Sequence, residues 1–148
     1  MIEEKLDSLG ISLPVPPFPA GSYLPVIVSG KIAFVSGQIP VEGDKIKFKG
    51  KVASVETGQQ AARLCALNAL AQLRQSLGSL DRVKQVIKLT GYVNCEPSFS
   101  DHPKVINGAS ELLTQLFDEK GKHARVAVGV SSLPLDSSVE VDLIVEIN

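Results

Sequence analysis

The stretch HARVAVGVSSLPLDSSVEVDLIVEI, residues 123–147, carries aliphatic side chains at every second position of two segments. Period two marks a strand with two unlike faces, because successive side chains point to opposite sides of the pleat. In the first segment Val126, Val128 and Val130 share one face, and Arg125, Ala127 and Gly129 share the other. In the second, Val139, Val141, Leu143, Val145 and Ile147 oppose Glu140, Asp142, Ile144 and Glu146. The all-aliphatic faces are expected beneath covering helices. The remaining face then carries Arg125, Glu140 and very small residues, which let another backbone or a ligand come close. Such an uncovered face is a candidate subunit interface.

Two helices of suitable length are present. Residues 54–78 have Ser54 to cap the start, Ala61, Leu64, Leu67, Cys65, Asn68, Leu70 and Ala71 at helical spacing, and Gly78 as the stop. Residues 103–119 follow Ser100 and Asp101, with Pro103 in the first turn. Their stripe is Val105, Ile106, Ala109, Leu112, Leu113, Leu116 and Phe117. Between the helices, residues 83–95 alternate as a strand with Ile87, Leu89, Gly91, Val93 and Cys95 on one face. Residues 25–28 and 31–36 form two shorter strands turning at Ser29-Gly30-Lys31. Residues 1–10 suit a short helix ending at Gly10, and LPVPPFPAG (13–21), with four prolines in nine residues, must be extended coil. The order is β-β-α-β-α-β-β, with a further edge strand expected near 45–49. This predicts an α+β fold, a mixed sheet with two long helices on one face.

The 148 residues suit one compact unit, read as an N-terminal extension (1–20) packed on a domain spanning 21–148. A net charge of -1 gives no electrostatic reason to expect nucleic acid or anionic lipid. The basic run at 45–51 alternates as an exposed strand edge would. No apolar run approaches the ~20 residues of a membrane helix. The acidic start Met1-Ile2-Glu3-Glu4-Lys5 lacks the pattern of a signal peptide, so a cytoplasmic location is expected. Cys65 and Cys95 read as small buried residues rather than a disulfide. His102 and His123 have no partner at metal-ligand spacing, so no metal site is expected.

An arginine and a glutamate on one sheet face can be a solvated ion pair and nothing more. The functional alternative is specific: a guanidinium offers a planar fork for a small carboxylate, and a nearby glutamate can orient or deprotonate a water.

YLP…FVSGQIP, VINGASELL and ARVAVGVSSLPLDSSVEVDLIVEI together resemble the RidA/YjgF family, formerly labelled endoribonuclease L-PSP, in its longer branch. The resemblance runs from Gly21 onward and is carried best by Ser36-Gly37-Gln38-Ile39-Pro40 and by Arg125 followed by Leu133-Pro134 and Val139-Glu140-Val141. It implies a chorismate-mutase-like fold assembled as a homotrimer, with sheets forming a central barrel and sites in clefts between subunits. It implies that Arg125 grips a substrate carboxylate and Glu140 orients water. Tyr23, Ser36, Gly37, an asparagine before the second helix (Asn107) and Ala127 would line the substrate. RidA-type members often carry a cysteine where Ala127 stands. The implied activity is hydrolysis of reactive enamine and imine acids of the 2-aminoacrylate type to 2-keto acids and ammonia, without a cofactor. The alternatives are a non-catalytic trimer that binds a small carboxylate metabolite and, third, an endoribonuclease. The last lacks a basic surface and exposed aromatics for base stacking.

Overall fold

The computed structural model describes residues 1–19 and 21–148; Ala20, at the expected boundary of the N-terminal extension, lies outside the described residues. The elements are α1 (Ile2–Ser8), β1 (Val26–Ser29), β2 (Ile32–Gln38), β3 (Val41–Glu42), β4 (Lys45–Ile46), α2 (Val55–Leu77), β5 (Val83–Asn94), α3 (His102–Phe117), β6 (Ala124–Val130) and β7 (Val139–Ile147). Five strands form one sheet in the order β1-β2-β7-β5-β6. Only β5 and β6 run parallel, joined across the sheet by α3. The fold is the expected mixed α+β layer.

Both helices lie on one face. The α3 stripe of Val105, Ile106, Ala109, Leu112, Leu113, Leu116 and Phe117 is buried in full. The helix gives way to a 3-10 turn at Asp118, two residues before the expected end. In α2, Ser54 caps the start by accepting from the Thr57 amide, and Gly78 closes it in a left-handed conformation at φ 87°. Its buried stripe differs from the expected one. Leu64 and Leu67 are only half-buried, whereas Ala62, Ala66, Ala69 and Leu73 are buried. The small residues let α2 approach closely: a Cβ on Gly108 of α3 would collide with the Gln59 backbone of α2.

Beneath the helices β7 supplies Val139, Val141, Leu143, Val145 and Ile147, as the alternation predicted. In β5, however, irregular pairing between Val86 and Lys88 shifts the alternation. Val86 therefore takes the buried position and Ile87 is exposed. The expected edge strand at 45–49 is also replaced. Lys45–Ile46 pairs with Val41–Glu42 in a separate hairpin, and Lys49 makes one isolated bridge to Ser137.

The largest correction concerns β6. Leu89 pairs with Leu143 on one side and Arg125 on the other, so Arg125 shares the helix-covered face. Ala127 packs on the core, and a Cβ at Gly129 would collide with His102 of α3 and with Cys95. The valines point the other way, Val126 at 40% and Val128 at 39% exposure. The face bearing Arg125, Ala127 and Gly129 is therefore the one that α3 covers, not the open face that the alternation predicts. The uncovered face instead carries two separate groups of exposed apolar side chains, Val126 and Val128 on the β6 edge and Ile27 and Phe34 on β1 and β2, with Thr90, Tyr92, Glu140 and Asp142 on the strands between them.

Candidate active site

The SGQ segment interrupts the β2–β7 ladder. Val35 pairs with Leu143 and Gln38 with Val141, so β2 spends three steps where β7 spends two. This bulge lifts Ser36 and Gly37 out of register. The Ser36 hydroxyl donates to the Leu24 carbonyl at 2.7 Å, and its amide donates to the Pro25 carbonyl at 2.9 Å. Ser36 is thereby a tie that holds the Tyr23–Pro25 segment beside the bulge.

At Gly37 the missing side chain is what makes room for Glu140. A Cβ there would overlap Glu140 Oε2 and stand 3.0 Å from its Cδ. Glu140 is half-buried, and burial, then the nearby Asp142 carboxylate, push its carboxyl above the usual carboxylate range. On the same open face the Tyr92 hydroxyl donates to Asp142 at 3.1 Å. Burial first, then Asp142, raise the Tyr92 phenol too. Beneath, the Cys65 thiol is raised by burial and then by Glu140.

Glu140 opens into a cleft of about 780 Å³. Tyr23 and Gly37 line it with Gln38, Ile39, Leu135 and the proline-rich residues 15–19. Gln72 of α2 pins that strap by donating to the Pro17 carbonyl at 2.6 Å.

The second group of expected residues lies elsewhere. Arg125 Nη1 donates to Asn107 Oδ1 at 2.7 Å and to Ser110 Oγ at 3.1 Å. Among the described residues neither Nη2 nor Nε has a hydrogen-bond partner, so one edge of the guanidinium is unspent. Asn107 does not precede the second helix as expected; it sits inside α3, one turn beyond the start, where it can reach the edge strand. Sequence reasoning missed Ser110 and His123. His123 Nδ1 lies 2.6 Å from the Gly121 carbonyl, which can only accept, so Nδ1 carries a proton. In the neutral ring Nε2 then accepts from Ser110 Oγ at 2.9 Å. The signal was available: His123 stands two residues before Arg125, at the entry to the strand and in phase with Arg125.

The expected residues thus fall into two groups, Tyr23, Ser36, Gly37 and Glu140 around the bulge and Arg125, Asn107 and Ala127 under α3. One chain does not unite them. No group of three or more His, Cys, Asp or Glu side chains among the described residues could hold a metal ion.

The sequence profile of YjgF/chorismate mutase-like proteins, whose description adds a conjectural endoribonuclease label, matches residues 3–147. The chain belongs to the YjgF family. Protein TCP17 of Trypanosoma cruzi is 46% identical to this YjgF-family chain, covering 99% of it and 94% of TCP17. Among solved structures, Atu1372 of Agrobacterium tumefaciens, a protein of unknown function, superposes with a TM-score of 0.91 at 46% identity, over 99% of this chain and 92% of that one. The E. coli protein TdcF, solved with bound serine, superposes with a TM-score of 0.65 at 26% identity, over 90% of this chain and 94% of that one. Both superpositions, at TM-scores of 0.91 and 0.65, show that these proteins share the fold of this chain. Among the described residues no helix is long and apolar enough to cross a membrane.

Proposed function

We propose that this YjgF-family protein is a homotrimeric hydrolase converting reactive 2-imino and enamine acids, of the 2-aminoacrylate type, to 2-keto acids and ammonia without a cofactor. The observation that carries the reading is Glu140: a half-buried carboxyl with raised proton affinity, seated against Gly37 at a cleft. Buried carboxyls tuned upward are suited to proton transfer near neutral pH. The cleft's own charged side chains are Asp44 and Glu140, so it has no cation for a carboxylate. Arg125 has an unspent fork but faces the other side of the sheet. The site is therefore completed by Arg125 of a neighbouring copy, with the apolar Val126, Val128 and Phe34 face buried in the assembly. That TdcF binds serine, a small amino acid, agrees with a carboxylate-bearing ligand. Cys65 and Cys95 are free thiols, as suits a reducing compartment such as the cytoplasm.

In the proposed reaction the Arg125 fork fixes the carboxylate through two parallel hydrogen bonds, and Asn107 and Ser110 hold the guanidinium in place. An enamine first takes a proton at C3 to become the imine. Ionised Glu140 accepts a proton from water as the water oxygen bonds to C2, and the C=N π pair moves to nitrogen. The same proton then passes to the amine, the C–N bond breaks, and ammonia leaves as the hydroxyl on C2 gives its proton back to Glu140 and the carbonyl forms. Atoms balance with one water consumed per ammonia released.

The deciding experiment generates 2-iminopropionate in situ and follows pyruvate release. Acceleration that Arg125→Ala and Glu140→Gln each abolish is the expected result. Tight keto-acid binding with no acceleration would replace this reading with the non-catalytic carboxylate-binding trimer.

A further inference from the structure

The cleft beside Glu140 is far larger than a three-carbon imino acid requires. Its volume of about 780 Å³ falls among clefts that enclose ligands of many more atoms. We propose that the ligand carries an aromatic or long aliphatic side chain, gripped between Leu135 and the proline-rich strap of residues 15–19. This rests on reading the cleft as the imine-hydrolysing site and names the class of acid that the site takes.

Besides Glu140 and Asp44, most of the lining is apolar, including Pro17, Phe18, Tyr23, Ile39 and Leu135. The lining amides do not change that character. Gln72 Nε2 is committed to the Pro17 carbonyl at 2.6 Å, and Gln38 Nε2 to the Ser36 carbonyl at 3.1 Å. A wall of this kind discriminates by burying apolar ligand surface, which a methyl group scarcely supplies. The strap is suited to the task because proline φ is already fixed, so ordering it around a ligand costs little entropy.

Leu135 is the independent observation. It holds φ 56° and ψ 26°, a left-handed conformation that a branched apolar residue rarely adopts, and Asp136 follows at φ 59°. The loop is over-determined on both sides. Asp136 N donates to the Leu133 carbonyl at 3.1 Å, and Ser137 donates to the Pro134 carbonyl through its amide at 3.0 Å and also through its hydroxyl. Gly50 N donates to the Asp136 carbonyl at 2.7 Å. All this fixes a side chain that is 65% exposed and contributes nothing to the core. Backbone strain maintained around an exposed apolar group at a cleft is the pattern of a ligand clamp.

The test titrates the intact oligomer calorimetrically with pyruvate and with phenylpyruvate, the stable keto acids that correspond to a small and an aromatic imine. Phenylpyruvate should bind about tenfold tighter or better, the gain expected for burying several apolar carbons. Leu135→Asn should shrink that preference to about twofold, since asparagine tolerates the left-handed conformation and leaves the loop intact. Phe18→Ser, in the proline-rich strap, should shrink it in the same direction. Equal affinities in the unaltered protein, or a preference untouched by both substitutions, would overturn the proposal while leaving imine hydrolysis standing. Failure of both acids to bind would remove the carboxylate site itself, and this proposal with it.

Discussion

Arg125 and Glu140 stand on opposite faces of one sheet, with β5 between their strands. Arg125 lies across from Leu89, whose neighbour on β7 is Leu143; Glu140 lies across from Tyr92, whose neighbour on β6 is Val128. An odd step between two rows reverses the facing of the side chains. In the proposed reaction, an arginine and a glutamate so placed act on one substrate only when they come from different chains.

Arg125→Ala and Glu140→Gln proteins should therefore complement each other. Each alone should be nearly inactive, yet co-refolding equal amounts should restore about a quarter of wild-type activity, the share of sites that receive both intact residues when copies mix at random around a cyclic assembly. Turnover measured before and after co-refolding checks this. A mixture that stays at background would place both residues' work within one chain.

Glu140 sets the acid limb of the pH profile. Its carboxyl is raised from the ordinary 4.5 by burial first and Asp142 second, so kcat/KM should rise with pH through a midpoint above 4.5. Asp142→Asn should move that midpoint down without returning it fully, because burial remains. The same shift acts on stability. A carboxyl that holds its proton more tightly when folded contributes stability that is complete below 4.5 and lost as pH rises through the folded value. Glu140→Gln cannot ionise, so it should melt higher than wild type at pH 7, by about a degree or two. Below pH 4.5 the two melting temperatures should converge.

Gly37 is needed for the space it leaves. Gly37→Ala would push its methyl into Glu140 Oε2 and displace the carboxylate. Turnover should fall about a hundredfold, as misplacement of a reacting group by an ångström can do. The far-ultraviolet spectrum should stay unchanged, since the substitution lies at a bulge outside the helix-covered core.

Assembly should depend on the uncovered face. Val128→Lys places a charge beside Val126 on the exposed β6 edge, and sedimentation should show a monomer that keeps its helical content. Gly129→Leu acts differently, because Gly129 lies under α3 against His102 and Cys95. It should destabilise the single chain by about 1–3 kcal/mol through overpacking.

The helices were legible because each stripe repeats over several turns, and in α3 every expected core residue is buried. In β6 the pattern was equally clear and pointed the wrong way. Alternation separates two faces but cannot say which is covered when the open face is also apolar, and Val126 and Val128 face outward while an arginine lies under a helix. Ile87 was misplaced by one irregular step in β5, which leaves no trace in composition. The bulge at Ser36-Gly37 was not read from the sequence, where the segment served only as a motif, whereas Glu140 was marked as an acid opposite a row of valines. Leu135 gave no sign, since nothing about a leucine after proline announces a positive φ.

The placement of β7 has a consequence for how the molecule is born. It is the last of the seven strands along the chain, yet it occupies the middle of the sheet, between β2 and β5. While a ribosome is delivering the earlier residues, β2 and β5 have no strand to bridge them, and both helices can only hover over an unfinished layer. The sheet can be completed only once the strand bearing Glu140 and its line of valines has been made. Until that moment two unpaired ribbon edges are open to strangers, the situation in which nascent chains depend on chaperones.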